Sequence, residues 1–211
     1  PQVSIAQGSD VHQYLDMPMR RQSILRLCRE TSSIITRSAD LAKRLVAAGA
    51  DTARIHPVYN GVDHSVFSVA DQAEARKELG LPNGVKTVLF VGNFVAVKGI
   101  DLLINACAWV NKRMVQPVKL VLIGTGELDH ALQDQTRSLG IDPLFAGRHN
   151  AASVARHMQA ADVVCLSSIN EGVPNVLLEA MACGTPVITS GNYAMADTAG
   201  NASVLINPEE P

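Results

Sequence analysis

Short apolar segments alternate with helix-periodic segments along most of this sequence. Thr87–Val91 is an apolar run of strand length, which is typical of strands buried on both faces of a parallel sheet. Ile100–Arg113 instead places apolar residues three and four positions apart, as on one face of a helix. The alternation of the two patterns predicts an α/β fold in which helices cover both faces of a parallel sheet.

The same patterns predict the bounds of each element. The predicted extended segments are Val3–Gln7, Ser33–Thr36, Arg54–Tyr59, Thr87–Val91, Val118–Ile123, Leu144–Ala146, Asp162–Leu166, Val187–Thr189 and Ser203–Ile206. The predicted helices are Met17–Glu30, one that begins after Ser38 and ends at Gly49, Asp71–Leu79, Ile100–Arg113, Leu128–Leu139, Ala151–Ala160 and Asn175–Cys183. Ser38 is expected to be an N-cap, and Gly49 suits the end of that helix.

Residues 60–85 interrupt this alternation. Two turn signals, Asn60-Gly61 and Pro82-Asn83-Gly84, bracket one short predicted helix. We interpret this stretch as a connector between two domains, residues 1–59 and residues 86–211. Because the sequence starts without a leader pattern and stops abruptly, we expect both domains to belong to a longer protein.

Composition narrows the function classes. The 211 residues are 47% apolar and carry 18 basic and 20 acidic side chains, a formal charge of −2. High apolar content with little net charge excludes a disordered chain, and the charge balance lacks the basic excess of a nucleic-acid binder. No run reaches the roughly 18 apolar residues of a membrane span. Four separated cysteines predict buried thiols in a reducing, cytoplasmic compartment, and no histidine spacing predicts a metal site.

Glycine recurs in the loops that follow four of the predicted strands. These loops begin at Gly92, Gly124, Gly147 and Ser167. Ligands of open α/β sheets bind beyond the carboxyl ends of the strands, and glycine lets a backbone approach a ligand closely. We therefore expect these loops to form a ligand site.

The fourth loop leads directly into a predicted helix at Asn175. The free N–H groups of a helix start favour an anion such as a diphosphate. Glu171 and Glu179 flank this helix start, and carboxylates accept hydrogen bonds from sugar hydroxyls. Together these features indicate a ligand with both phosphates and hydroxyls. The alternative is that Glu171 only caps the helix and Glu179 is only a surface charge.

Three other side chains have two interpretations each. Lys98 could neutralise a phosphate as a point charge, or it could be a solvated surface lysine. Arg148 and His149 could line a nucleobase or sugar pocket, or they could be ordinary surface residues. Gly124 and Gly126 do not form a dinucleotide fingerprint, because the third glycine and the downstream acidic residue are absent.

Three groups of residues, in this order, resemble the GT-B glycosyltransferases of family 4, the group 1 transferases. They are Gly92 with Lys98-Gly99-Ile100-Asp101, then Ile123-Gly124-Thr125-Gly126, then Glu171-Gly172-x-Pro174-Asn175-x-x-x-Glu179-Ala180-Met181-Ala182-x-Gly184-x-Pro186-Val187. The first sixty residues are also similar, at Gly8-Ser9-Asp10, Ile34-Ile35-Thr36-Arg37-Ser38 and Asn60-Gly61-Val62-Asp63. The resemblance covers nearly the whole chain.

The resemblance implies two Rossmann-like domains, each a parallel sheet with helices. Residues 1–59 would be the C-terminal part of the acceptor-side domain, and residues 86–211 a C-terminally truncated donor-binding domain. It further implies retaining transfer of a hexosyl group, without metal or cofactor, from a nucleotide-diphosphate sugar to a glycan or lipid acceptor. The fragment alone would only bind donor, and the full-length protein would be cytoplasmic, with peripheral association at the inner face of the membrane.

The resemblance also assigns roles to residues. Glu171 would hold hydroxyls of the donor hexose, Glu179 would hold the ribose hydroxyls, and Lys98 would neutralise the leaving diphosphate. Glu171 and Lys98 are thus the implied catalytic residues, and Arg148 falls in the base pocket. The implied donor-binding set is Gly92, Asn93, Lys98, Gly124, Gly126, Arg148, Glu171, Gly172, Pro174, Asn175, Val176, Leu177 and Glu179.

The sequence departs from the family pattern at two positions. Asn93 stands where the family usually has Arg, which removes a bidentate phosphate donor and leaves Lys98 as the obvious cation nearby. Gln7 stands near the position where many members have His. Two other functions stay open beside the transferase, namely a non-catalytic subunit that binds nucleotide sugar and another GT-B enzyme such as a 2-epimerase.

Overall fold

The chain forms two compact units in the computed structural model, which describes residues 2–8, 11, 13–82, 84–169, 174–191 and 194–207. The first unit is built mainly from the residues up to Gly61, and the second mainly from Val62 onward. Both contain parallel sheets with flanking helices, which confirms the predicted α/β class. No helix within these described ranges is long and apolar enough to cross a bilayer.

The first unit holds a three-stranded parallel sheet in the order β1-β2-β3. Its elements are β1 (Val3–Ala6), α1 (Pro18–Glu30), β2 (Ser33–Thr36), α2 (Ala39–Ala48) and β3 (Ile55–Pro57). Helix α2 begins as predicted, because Ser38 Oγ accepts a hydrogen bond from the Leu41 N–H at 3.2 Å. Gly49 ends the helix in a left-handed conformation. Leu41 and Leu45 lie on one face of α2 and are buried in the core of the unit.

The second unit is built around a six-stranded parallel sheet in the order β6-β5-β4-β7-β8-β9. The strands are β4 (Thr87–Val91), β5 (Lys119–Ile123), β6 (Leu144–Gly147), β7 (Val163–Leu166), β8 (Val187–Ser190) and β9 (Ser203–Ile206). The chain runs outward from β4 to β6 and then crosses back to place β7 on the other side of β4. This reversal creates the crevice where open α/β sheets bind ligands.

Helices and apolar side chains cover both faces of this sheet. The helices of the second unit are α3 (Gln72–Glu78), α4 (Ile100–Asn111), α5 (Asp129–Leu139), α6 (Ala151–Ala160) and α7 (Asn175–Ala182). Helix α8 (Ala194–Ala199) belongs, apart from its last residue, to the first unit. Leu89 of β4 and Val164 of β7 belong to one core cluster, whereas the next residues, Phe90 and Cys165, belong to another. Successive residues of a strand point to opposite faces, so both faces of the strands are buried, as their apolar runs predict.

Helix α3 belongs to the second unit and docks against the end of α6. Gln72 Nε2 donates to the Ala161 carbonyl at 2.8 Å, and Arg76 Nε donates to the Ala160 carbonyl at 2.9 Å. Arg76 also pairs with Asp162 at the start of β7. These bonds satisfy the last carbonyl groups of α6, which have no partner within the helix.

Most predicted bounds agree with the structure to within a residue or two. The extended segment Arg54–Tyr59 is wrong at both ends, because Arg54 ends a 3₁₀ turn and β3 covers only three residues. The Asp51 carboxylate accepts a hydrogen bond from the Ala53 N–H and so fixes that turn. The 3₁₀ helix Ala96–Lys98 and helix α8 are absent from the prediction, since both are too short to show a helical period.

Candidate functional site

The loop that follows β4 lies at the reversal point of the six-stranded sheet. It runs from Gly92 to Gly99 and contains the 3₁₀ helix Ala96–Lys98. The Gly92 N–H donates to the Ile123 carbonyl at 2.9 Å, so the loop leaves the sheet only after β4 and β5 have ended. Gly99 adopts a left-handed conformation and begins α4. The loop is therefore fixed at both ends by regular structure.

Lys98 extends over Gly92 within this loop. A Cβ atom at Gly92 would lie 4.0 Å from Lys98 Cε and 3.2 Å from Phe90 Cζ. Because Gly92 has no side chain, the stem of the half-buried Lys98 and the Phe90 ring can both pass close to its backbone. Asn93, the next residue, is exposed. An ammonium group beside an open backbone at the end of a parallel strand is suited to bind a phosphate.

Gly124 and Gly126, in the loop after β5, are required by backbone packing. A Cβ atom at Gly124, where φ is 141°, would lie 1.8 Å from the Gly92 carbonyl oxygen. A Cβ atom at Gly126 would lie 2.3 Å from the Phe94 carbonyl oxygen. The Phe94 N–H donates to the Thr125 carbonyl at 3.1 Å. The two loops thus contact each other through their backbones, and this contact by itself requires glycine.

The loop after β7 packs against the other side of the β4 loop. Ser167 Oγ donates to the Lys98 carbonyl at 3.0 Å, and the Ile169 N–H donates to the Val97 carbonyl at 2.8 Å. A Cβ atom at Gly99 would lie 2.3 Å from the Ser167 carbonyl oxygen. The β4 loop is therefore held between the loops of the two strands that flank β4.

Arg148 follows β6 and contacts the loop after β5. Its Nε donates to Thr125 Oγ1 at 2.8 Å, and the Gly124 N–H donates to the Gly147 carbonyl at 2.8 Å. His149 instead forms hydrogen bonds within its own loop and to the start of α6. Arg148 thus lies at the outer side of the same loop group, and His149 is used locally.

Helix α7 follows the loop after β7 and carries Glu179. Asn175, at the start of the helix, is exposed. The other predicted donor-binding residues of this segment are buried or half-buried, namely Pro174, Val176 and Leu177. Glu179 is half-buried, and this partial loss of solvation raises the pKa of its carboxyl group. A carboxylate that has lost part of its solvation is stabilised by a hydrogen-bond donor.

The sequence model of the family described as "Glycosyl transferases group 1" matches residues 71–211, well over half of the chain. The chain belongs to this family. The match confirms the resemblance based on the glycine loops and the Glu-x7-Glu element. It includes every loop of the candidate site described above, because all of them follow β4.

Curated relatives agree with this assignment. The D-inositol 3-phosphate glycosyltransferase of Geodermatophilus obscurus is 33% identical over 212 residues, covering 93% of this chain and 47% of the relative. An uncharacterized glycosyltransferase of Methanocaldococcus jannaschii is 31% identical over 168 residues, covering 76% of this chain and 43% of the relative. The chain therefore spans about half the length of the curated relatives it matches.

Solved structures show the same fold. Anabaena Alr3699/HepE, in complex with UDP and glucose, matches with a TM-score of 0.84 at 24% identity, over 100% of this chain and 58% of that chain. Sucrose-phosphate synthase from Thermosynechococcus elongatus matches with a TM-score of 0.82 at 22% identity, over 99% and 55%. These likenesses confirm the predicted Rossmann-like architecture of a group 1 glycosyltransferase.

The structure brings part of the predicted group 1 site together. Gly92, Lys98, Gly124, Gly126 and Arg148 form one group connected by loop contacts. Among the described residues, no hydrogen bond joins the Glu179 side chain to this group. Glu171 and Gly172 lie outside the described residues, so their implied roles stay predictions. Two residues missing from the predicted set, Thr125 and Ser167, connect the loops. Their position in the sequence could have indicated them. Ser167 directly follows a predicted strand, and Thr125 directly follows the first glycine after one.

Proposed function

We propose that this chain is the donor-binding part of a retaining glycosyltransferase that takes a hexosyl group from a nucleotide-diphosphate sugar. The observation that carries the proposal is the position of Lys98 over Gly92, at the reversal point of the sheet. An ammonium group at that point can neutralise the diphosphate as it leaves the sugar. Electrostatic stabilisation of developing charge is usually the largest single term in catalysis.

The two glutamates are assigned to the hydroxyl groups of the donor. Glu171 would hold the hexose, and Glu179 would accept hydrogen bonds from the ribose. The raised pKa of Glu179 fits such a partner, because a ligand hydroxyl would restore part of the solvation that the carboxylate has lost. The N–H groups at the start of α7 would add positive potential at the phosphates. Gly92, Asn93, Gly124, Gly126 and Arg148 would complete the pocket.

The donor is proposed to be a UDP sugar, and the acceptor a glycan or a lipid. Anabaena Alr3699/HepE was solved with UDP-glucose, which supports uridine nucleotides as the first probe through shared fold. The curated relative from Geodermatophilus obscurus is named for inositol 3-phosphate. We expect this chain alone to bind donor without turnover, since it spans about half of such relatives. Metal-free chemistry, a cytoplasmic location and peripheral membrane association of the full-length protein are further parts of the proposal.

A calorimetric titration of the chain with UDP, GDP, ADP and their glucose conjugates tests this function. We expect one nucleotide to bind selectively, and Glu179→Ala to weaken it roughly tenfold or more. Glu30→Ala removes an exposed carboxylate at the end of α1, in the first unit, and is the matched control. If no nucleotide binds, or if both variants lose the same affinity, the donor-site assignment is wrong.

The exposed Asn93 favours one second function, a subunit that binds nucleotide sugar without catalysing transfer. An enzyme that lacks the usual arginine has less charge with which to stabilise a leaving diphosphate. The full-length protein distinguishes the two functions. Release of UDP from a donor sugar, dependent on Lys98, supports the transferase, and tight donor binding without release supports the non-catalytic subunit.

A further inference from the structure

We propose that Ser167 is a positioning residue for Lys98. Its hydroxyl group holds the backbone of the lysine so that the ammonium group lies over Gly92, where the terminal phosphate of a nucleoside diphosphate would bind. The proposal rests on the proposed function for the role of Lys98. Ser167 itself is not expected to touch the donor, because its hydroxyl group donates to the Lys98 carbonyl at 3.0 Å.

The contact is made at the end of a short helix. The last carbonyl groups of a helix have no partner within it and need one elsewhere. In the 3₁₀ helix Ala96–Lys98, the Val97 carbonyl accepts from the Ile169 N–H at 2.8 Å, and the Lys98 carbonyl accepts from Ser167 Oγ. The loop after β7 thus supplies partners for two consecutive carbonyls, the second of which belongs to the lysine itself.

Steric contact leaves little freedom at this position. A Cβ atom at Gly99 would lie only 2.3 Å from the Ser167 carbonyl oxygen, so the two backbones are in close contact. The Ser167 side chain is buried, with 5% of its surface exposed. The backbone around Lys98 is therefore held at two points. Its own carbonyl accepts a hydrogen bond from the Ser167 hydroxyl group, and Gly99 contacts the Ser167 backbone. Loss of the Ser167 hydroxyl group would remove the hydrogen bond to the Lys98 carbonyl.

Lysine needs such support more than a short side chain would. Its four-carbon stem is flexible, so the position of the ammonium group depends on a fixed backbone. Binding groups must be held to within about 0.5 Å of the productive geometry by residues that do not contact the ligand themselves. The bond from Ser167 reaches the backbone of the lysine itself, so Ser167 is the residue at which we test that precision.

A double-mutant cycle measured with UDP and UMP tests the inference on the 211-residue chain. UMP lacks the terminal phosphate, so the effect of Lys98 is expected for UDP alone. Ser167→Ala should weaken UDP about fivefold and leave UMP within about twofold. In the Lys98→Ala background the same substitution should change UDP affinity by less than about twofold, because coupled residues are not additive. Ser167→Thr, which retains the hydroxyl group, should recover most of the affinity.

A matched control separates positioning from general stability. Thr185 is buried and donates through Oγ1 to the Met158 carbonyl at 2.7 Å, at the opposite end of the sheet. Thr185→Val should destabilise the fold and leave the affinity for UDP unchanged. Equal losses for UDP and UMP, or an undiminished effect of Ser167→Ala in the Lys98→Ala background, would show that Ser167 is merely structural.

Hydrogen exchange at the Ile169 amide distinguishes this failure from failure of the proposed function. That amide donates to the Val97 carbonyl in the absence of any ligand. Faster exchange in Ser167→Ala, but not in Thr185→Val, supports the contact between the two loops even if UDP does not bind. Normal exchange together with intact UDP binding overturns the positioning role and leaves the donor site in place.

Discussion

The two ends of the six-stranded sheet hold their connecting segments together by different means. At the amino end, the Asp162 carboxylate accepts hydrogen bonds from the Thr87 N–H at 2.7 Å and from Lys86 Nζ at 2.9 Å, and it also pairs with Arg76. At the carboxyl end, glycine backbones and the hydroxyl group of Ser167 make the corresponding contacts. The contacts at the amino end centre on one carboxylate with several donors, whereas those at the carboxyl end rely mainly on close backbone packing.

This difference follows from what each end can tolerate. The half-buried Asp162 carboxylate, with three donors, stabilises the amino end, where no ligand is expected. At the carboxyl end, close backbone contacts at Gly99, Gly124 and Gly126 fix the loops, and the Asp129 carboxylate adds one bond by accepting from the Gly126 N–H at 3.0 Å. Open parallel sheets bind ligands beyond their carboxyl ends, and Lys98, the proposed phosphate-binding residue, lies at that end.

The largest expected effect comes from breaking the backbone contact at the carboxyl end. Gly124→Ala would place a Cβ atom 1.8 Å from the Gly92 carbonyl oxygen, with φ at 141°. We expect the free energy of unfolding to fall by about 4 kcal/mol. Gly140→Ala is the matched control. Gly140 also has a positive φ, but a Cβ atom placed there would meet no other atom within 4 Å. Gly140→Ala should lower the free energy of unfolding by about 1 kcal/mol. Equal losses for the two variants in urea denaturation would show that Gly124 and the Gly92 carbonyl are not in close contact.

A smaller loss is expected when the charged contact at the amino end is removed. Asp162→Ala leaves the Arg76 side chain, only 9% exposed, without its carboxylate. The expected loss is about 3 kcal/mol. Asp134→Ala removes the partner of Arg137 in a pair whose side chains are 70% and 71% exposed, and it should cost less than about 0.5 kcal/mol. Similar losses for the two variants would remove the distinction between buried and surface pairs.

The pH dependence of stability tests the same carboxylate. Burial alone would raise the pKa of Asp162, but hydrogen bonds from the Thr87 N–H and Lys86, with the charge of Arg76, lower it. Because the folded pKa is the lower one, the stabilisation is complete above the unfolded value of about 3.9 and is lost as the pH falls through the folded pKa. The stability difference between the wild type and Asp162→Asn should therefore shrink between about pH 5 and pH 3.

Binding, rather than stability, is expected to change when a cation is added at the carboxyl end. Asn93→Arg restores a bidentate phosphate donor beside Lys98, at an exposed position. We expect UDP affinity to rise roughly fivefold, since charge-assisted bonds to phosphate are strong. Gln116→Arg adds the same charge at an exposed position toward the amino end and should have no effect. A lower affinity in Asn93→Arg would mean that position 93 does not face the phosphates.

The sequence predicts the elements of this fold well and the reason for its glycines less well. Short apolar runs predict the positions of the strands. Ser38 and Gly49 predict the two ends of α2. The sequence also places Lys98 and the glycines in the loops at the carboxyl edge. It cannot show that Gly124 meets the Gly92 carbonyl, because that contact depends on the register between β4 and β5. The role of Ser167 cannot be predicted from the sequence for a similar reason. It depends on a hydrogen bond to Lys98, which is distant in the sequence.

The smallest expected effect on stability concerns Glu179, whose carboxyl group has a pKa raised by burial. A raised folded pKa means that the ionised form disfavours folding at neutral pH and that stability improves as the pH falls toward that pKa. Glu179→Gln should therefore leave the free energy of unfolding at pH 7 unchanged or raise it by up to about 0.5 kcal/mol, with the gain disappearing at low pH.

The same substitution should weaken UDP binding, because an amide is a poorer acceptor than a carboxylate for two ribose hydroxyls. Glu30→Gln, at an exposed position in the first unit, should change neither quantity. Paired urea denaturation and calorimetry on the two variants check this. Reduced stability in Glu179→Gln would show that the carboxylate makes a stabilising contact within the fold. Unchanged stability with weaker binding would show that Glu179 contributes to ligand binding and not to folding, as we propose for Lys98 at the carboxyl end of the sheet.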